Sequence, residues 1–245
     1  MEPAAVVKLN SDGASPFLFV SEHAGNLVPA DYNNLGLSPA DLGDHIGWDL
    51  HILEVGKQVA AALDACYVYQ PYSRLMIDCN RPFGAPDSIP PVADNRPVPG
   101  NQNLSAEEVS RRREEIFQPF HDAIAETIDG RIARGQRTVF VTLHSFTPAM
   151  QSGGDDRPWP ITIQYGRDPA FSEALLALLR EDGSFPVGDN LPYPVTDETH
   201  YTIPTHGEKR KLLHSMIEIR QDVIRDSEGQ AFWANKLVDV LSRAL

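Results

Sequence analysis

Cysteine is nearly absent: Cys66 and Cys79 are the two among 245 residues. That excludes a disulfide scaffold and a cysteine-rich zinc site, and it leaves the expectation of two reduced, buried thiols in a cytoplasmic protein. Positive charge is also scarce. Lys and Arg number 21 against 34 Asp and Glu, a formal net charge of −13, which argues against a nucleic-acid partner and against adhesion to anionic membrane. A small anionic substrate stays compatible, because a few arginines in one cleft reverse the local field. No apolar run approaches the roughly 18 residues of a membrane span. MEPAAVVKLNSDG at the start has neither the basic head nor the apolar core of a signal peptide. Several catalytic signatures are missing too: there is no GxSxG elbow, no GxGxxG or P-loop, and no HExxH. Internal repeats and low-complexity tracts are absent.

Strand and helix signals alternate along the whole length, which predicts an α/β fold, a mostly parallel mixed sheet with helices on both faces. Strands are expected at 16–21, 66–72, 75–80, 138–144, 159–166 and 214–220. Helices are expected at 44–65, at 105–134 with an interruption at Pro119, at 169–180 and at 228–245. Ser105, with Glu108 three positions on, reads as a capping box. Residues 82–104 are too rich in proline, glycine and asparagine for a helix or central strand; together with 183–206 they read as long loops around a site. One domain over 1–245 is the expectation.

The chemistry concentrates at strand ends, where α/β proteins open their ligand crevice. TVFVTLHSF (138–146) carries His144 near its close, LFVSEH (18–23) ends on His23, and MIEIR (216–220) carries Glu218. Two neutral imidazoles and a carboxylate are the ligand set of a catalytic zinc that keeps its fourth position for water. A strand-end histidine that merely bonds a loop carbonyl is the plainer alternative. The candidates for the acid ligand are Asp49, at the start of the first helix, and Glu22, on the opposite side of the strand from His23. His45, four residues before Asp49, is a ligand, an outer partner of one, or part of a solvated face. Ala24 and Gly25 leave room for a ligand to approach the backbone. Glu218 inside an apolar strand suits a general base with a raised pKa, or else a structural partner for Arg220 on the same face. Arg220 is equally a bidentate clamp for a substrate carboxylate. YSRLMIDCNRP (72–82) puts Arg74, Asp78 and Asn80 on one strand face beside Arg81, a further clamp for a carboxylate. His206 in the second loop is another substrate-binding candidate. Ser145 cannot form a dyad with His144, because neighbours on a strand point apart. GGDD (153–156) is a mobile turn rather than a cation site.

Taken in order, SEHAGN (21–26), HIGWD (45–49), YSRLMIDCNRP (72–82), LHSFTP (143–148), RPWPI (157–161), NLPY (190–193) and IEIRQD (217–222) resemble the N-formylglutamate amidohydrolase family over about residues 16–240. The resemblance implies a three-layer α/β/α sandwich of the phosphorylase/hydrolase-like type shared with zinc exopeptidases. It implies hydrolysis of a linear amide, with N-formyl-L-glutamate giving formate and glutamate in histidine catabolism as the reference reaction. It implies one Zn²⁺ per chain, His23 and His144 as metal ligands with Asp49 as the acid, and Glu218 as the catalytic glutamate. Arg74, Asn80, Arg81 and Arg220 fall within the matching motifs. The WD element and the LHSFTP wording mark a divergent branch, which leaves an N-acyl-amino-acid deacylase or another zinc amidase as the nearest alternative. A non-catalytic carboxylate-binding protein is the alternative from another class.

Overall fold

The computed structural model describes residues 4–154, 156–181 and 183–245. Strands β1 (Val7–Leu9), β2 (Phe17–Ser21) and β3 (Cys66–Tyr69) lie in its first third, with helices α1 (Pro39–Leu42) and α2 (Ile52–Ala62) between the second and third strands. A small hairpin follows, β4 (Val92–Ala93) and β5 (Arg96–Pro97), and then helices α3 (Ala106–Arg112) and α4 (Gln118–Ala133). Strands β6 (Val139–Phe146) and β7 (Ile161–Gln164), helix α5 (Ala170–Arg180), strands β8 (Val187–Asp189) and β9 (Leu213–Arg220), and helix α6 (Ser227–Arg243) complete the order.

Apart from the hairpin, the strands form one sheet in the order β1-β3-β2-β6-β9-β7-β8. Its central run β3-β2-β6-β9 is parallel; β1 and β7 join it antiparallel, and β8 lies parallel to β7. All eight residues of β6 are buried. That burial explains the uninterrupted apolar run, since a strand covered on both faces need not alternate. Side-chain parity sorts the core into two layers. Phe17, Phe19, Val141, Leu143, Ile217 and Ile219 pack against Val55, Val59, Leu175 and Leu237 of α2, α5 and α6. Leu18, Val20, Phe140 and Met216 pack on the other face, with Phe120, Ile124 and Ile128 of α4. The result is a three-layer α/β/α sandwich. Among the described residues no helix is long and apolar enough to cross a membrane, and Cys66 and Cys79 are both free and buried.

Strands β1 and β8 lie outside the expected strands, β8 inside the loop expected over 183–206, and two segments depart further from the expected elements. Helix α2 begins at Ile52, not at residue 44, because the backbone of 44–51 is engaged elsewhere. Asp49 donates its N–H to the His23 carbonyl at 2.9 Å, and the Gly47 carbonyl accepts from Arg74 N and Ser73 Oγ. A Cβ on Gly47 would stand 2.3 Å from the Leu42 carbonyl oxygen, so only glycine permits this turn. Residues 75–80 are consecutive turns rather than a strand. Their buried carbonyls are satisfied by side chains: Asn101 Nδ2 reaches Leu75 O at 2.8 Å and Arg112 Nη1 reaches Met76 O at 3.0 Å. The capping box is half made. Ser105 Oγ accepts from Glu108 N at 3.2 Å, while the Glu108 carboxylate turns to Arg111 and Arg112. The interruption near Pro119 takes the form of a π turn over Arg113–Phe117, which accommodates a residue lacking an N–H. Of the GGDD turn, Asp155 lies outside the described residues.

Arg112 is 1% exposed and also bonds Asn101 Oδ1, Gly100 O and Glu108. It thereby fastens both the 75–81 turns and the loop that follows them. Arg112→Met should lower the unfolding free energy by about 2–4 kcal/mol, because it strands several buried acceptors at once. Urea denaturation checks this; an unchanged midpoint would show that Arg112 contributes nothing there.

Candidate active site

Because β2, β6 and β9 are neighbours, their carboxyl ends deliver His23, His144 and Glu218 to one place. His144 and Glu218 are paired directly in register across β6 and β9. Asp49 joins them from the turn before α2, held by its own N–H on His23 and by Ser145, whose Oγ donates to Leu50 O at 2.8 Å. Asp49 Oδ2 lies 2.8 Å from His144 Nδ1 and 3.5 Å from His23 Nδ1. One ligand atom from each of these three buried residues falls within 4.8 Å of the others.

Carboxylates also hold the outer ring nitrogens. His23 Nε2 is 2.7 Å from Asp78 Oδ1, and His144 Nε2 is 3.1 Å from Glu22 Oε2. Arg74 braces the acids, with Nη2 at 2.7 Å from Asp78 Oδ2 and Nη1 at 3.4 Å from Asp49 Oδ1. Burial by itself would raise the Glu22, Asp49 and Asp78 carboxyls, but their histidine and arginine partners outweigh it. Glu22 is held at about 2, and the other two lie below the usual carboxylate range. Burial would lower His144, yet Glu22 and Asp49 together hold it well above the ordinary imidazole value. Glu218 behaves oppositely. Burial raises it, and His144, Arg74 and Arg157 do not cancel the effect.

The donor set fits a divalent ion such as zinc. Two imidazoles turn like nitrogens toward one carboxylate; the outer nitrogen of His23 is hydrogen-bonded to Asp78 and that of His144 lies within ion-pair distance of Glu22, the kind of backing that orients metal-binding histidines. His23 Nδ1 is buried without a hydrogen-bond partner, an atom left available to a cation. Of the two acids weighed from the sequence, Asp49 faces both imidazoles, whereas Glu22 stands behind His144.

A cavity of about 540 Å³ opens over these groups, lined also by Arg74, Asn80 and Arg81. Both long loops contribute to it, Asp87 and Asp94 from the first and Tyr193 and His200 from the second. Asn80 and Arg81 are spent largely on structure: Asn80 Oδ1 accepts from Tyr201 N and Thr202 N, and Arg81 bonds Asp87 and the Thr199 carbonyl. Two expected substrate contacts stand apart from the cavity. Arg220, at the last position of β9, pairs with Asp222 and donates to Arg157 O at 2.9 Å. His206 is buried against His121 at 3.1 Å, where desolvation lowers it to about 4. Gly25 makes room for protein instead of ligand, since a Cβ there would sit 2.0 Å from Pro71 O. His45 lines the cavity but lies outside the group of three, its ring held by Asp44 and Asp94 at 3.0 Å each. The outer role of Asp78 and the cavity positions of Arg157 and His200 escape a reading by strand parity, because all three lie in loops or turns.

The family profile described as N-formylglutamate amidohydrolase matches residues 15–225. A search of curated protein sequences returns no match. Among solved structures, the gene product Atu2144 from Agrobacterium tumefaciens is similar at 36% identity and a TM-score of 0.94, over 99% of this chain and 95% of that one. An N-formylglutamate amidohydrolase from Ralstonia eutropha JMP134 shares the fold at 22% identity and a TM-score of 0.77, over 99% of this chain and 97% of the other. With strand ends, turn and cavity arranged as above and the profile spanning most of its length, the chain belongs to the N-formylglutamate amidohydrolase family, hydrolases that act on amide bonds.

Proposed function

We propose that the chain is a zinc-dependent amidohydrolase, acting as one domain, that cleaves an N-formyl or N-acyl amino acid, with N-formyl-L-glutamate as the reference substrate. The observation that carries this reading is the convergence of His23 Nδ1, His144 Nδ1 and Asp49 Oδ2 beside Glu218, held in β9 by its backbone while its carboxylate makes no side-chain hydrogen bond or ion pair among the described residues. His23, Asp49 and His144 would hold the ion. Bound there, Zn²⁺ supplies Lewis acidity to the amide carbonyl and acidifies water at neutral pH.

The chain's own residues do the rest. Glu218 accepts a proton from the attacking water and returns it to the departing amine, a task suited to a carboxyl with a raised pKa. Asp78 and Glu22 fix the ring orientations of His23 and His144. Arg74 keeps Asp78 and Asp49 ionised and in place. The products from the reference substrate are formate and glutamate, consistent with a cytoplasmic step of histidine breakdown. A cavity of about 540 Å³ lies within the range that takes drug-sized ligands, which favours acyl groups larger than formyl as a second reading.

Turnover of a panel of N-formyl and N-acetyl amino acids by zinc-loaded protein tests the reading. Activity should disappear after dialysis against a chelator and return with one equivalent of zinc. Full activity in metal-free protein would overturn it.

A further inference from the structure

The cavity holds three arginines, and two of them are already committed. Arg74 is occupied by Asp78 and Asp49, and Arg81 by Asp87 and the Thr199 carbonyl. Arg157 has no carboxylate partner among the described residues. Its contacts are neutral: Nη1 donates to Thr147 O at 3.2 Å, and Nη2 reaches Met150 Sδ at 3.1 Å and Tyr193 Oη at 3.4 Å. In a chain with 34 acids against 21 basic residues, a half-buried guanidinium left to neutral partners is conspicuous. It lines the same cavity as Glu218 and the histidine pair, and its charge is felt at Glu218. Its backbone is anchored, because Arg157 O accepts from Arg220 Nη1 at 2.9 Å while Asp222 holds that arginine.

A guanidinium presents a planar fork that matches a carboxylate, and a charge-assisted pair of this kind outweighs contacts to a carbonyl and a thioether. We propose that Arg157 receives a carboxylate of the amino-acid half of the substrate and thereby sets the enzyme's preference for N-acyl amino acids over neutral amides. The assignment rests on the amide-hydrolysis reading above. It gives the role expected of Arg220 to the residue whose carbonyl Arg220 holds. Tyr193, on the opposite loop, stands beside the fork and narrows the place where the carboxylate enters.

The test uses the zinc-loaded full chain with N-formyl-L-glutamate, its two mono-amides and free L-glutamate. Wild type should prefer the diacid to at least one mono-amide in kcat/KM. R157Q should cut that preference by about 10- to 100-fold, with R157K retaining part of it. L-Glutamate binding measured by calorimetry should weaken in parallel. A preference that survives intact in R157Q, or wild type that ignores the loss of either carboxylate, overturns the assignment while leaving the amidohydrolase reading in place. Absence of turnover with every amide, combined with L-glutamate binding that R157Q abolishes, overturns that reading and leaves Arg157 standing. Neither turnover nor binding would overturn both.

Discussion

Glu218→Gln should lower kcat by about 10²–10⁴-fold, the range by which a positioned general base accelerates a reaction, while zinc per chain stays at the wild-type level. The substitution keeps the shape of the side chain and removes its ability to accept a proton. Glu218 lies beside His144 in register yet outside the group of three that converges on one point, so metal content and turnover should separate. Activity should also fall on the acid side at a higher pH than an ordinary carboxylate would give, because burial raises this carboxyl. The same shift bears on stability. A carboxyl whose folded pKa is raised contributes most below its unfolded pKa and loses that contribution as pH rises through the folded value. At neutral pH its charge is therefore a cost, and E218Q should melt no lower than wild type there. Elemental analysis, steady-state rates and thermal melts provide the three readouts. Loss of zinc together with activity would make Glu218 a ligand and sink its assignment as base.

Asp49→Asn should reduce zinc affinity by at least about 100-fold, above the 10- to 100-fold typical of groups behind the ligands. The amide preserves size and most contacts but removes the charge that faces both imidazoles. Glu22→Gln acts from behind the ligands, at the outer nitrogen of His144 and beside Thr202, and should fall within the smaller range. Competition against a chromophoric chelator measures both. A larger loss in E22Q than in D49N would mean that Glu22, not Asp49, supplies the acid. Stability should follow the opposite sign from Glu218: Asp49 is held below its ordinary value, so its contribution is present above the unfolded pKa and lost as pH falls. D49N should accordingly show a flatter decline in acid.

Strand ends were legible in the sequence because a strand buried on both faces writes itself as a continuous apolar run, and TVFVTLHSF ends where β6 does. His23, His144 and Glu218 could be grouped for that reason. The turn carrying Asp49 was not legible. Ile46, Leu50 and Leu53 have helical spacing, but spacing reports burial, and the 44–51 backbone gives its hydrogen bonds to His23, Ser73 and Arg74. LMIDCN misleads in the same way: its apolar residues are buried, while Asn101 and Arg112 replace the strand partners. Arg220 shares strand parity with Glu218 yet lies outside the cavity, because parity gives the face of a sheet and not how far along it the cavity extends. Arg157 could be noticed only as part of the RPWPI motif; its significance depends on which other arginines already hold acids, and that is a property of the assembled cavity.

Placing the chemistry on three adjacent parallel strands has a kinetic corollary. Ser21 and Leu143, 122 residues apart, must meet before His23 and His144 can face each other, and β6 must then zip against β9 before Glu218 arrives. Such non-local pairings form slowly and late, and an all-buried central strand opens only when the whole unit does. The site should therefore have no partly open form of its own. Amides of residues 141–145 should exchange with solvent only through global unfolding, so that proteolysis or mild denaturant removes activity and native structure in one step.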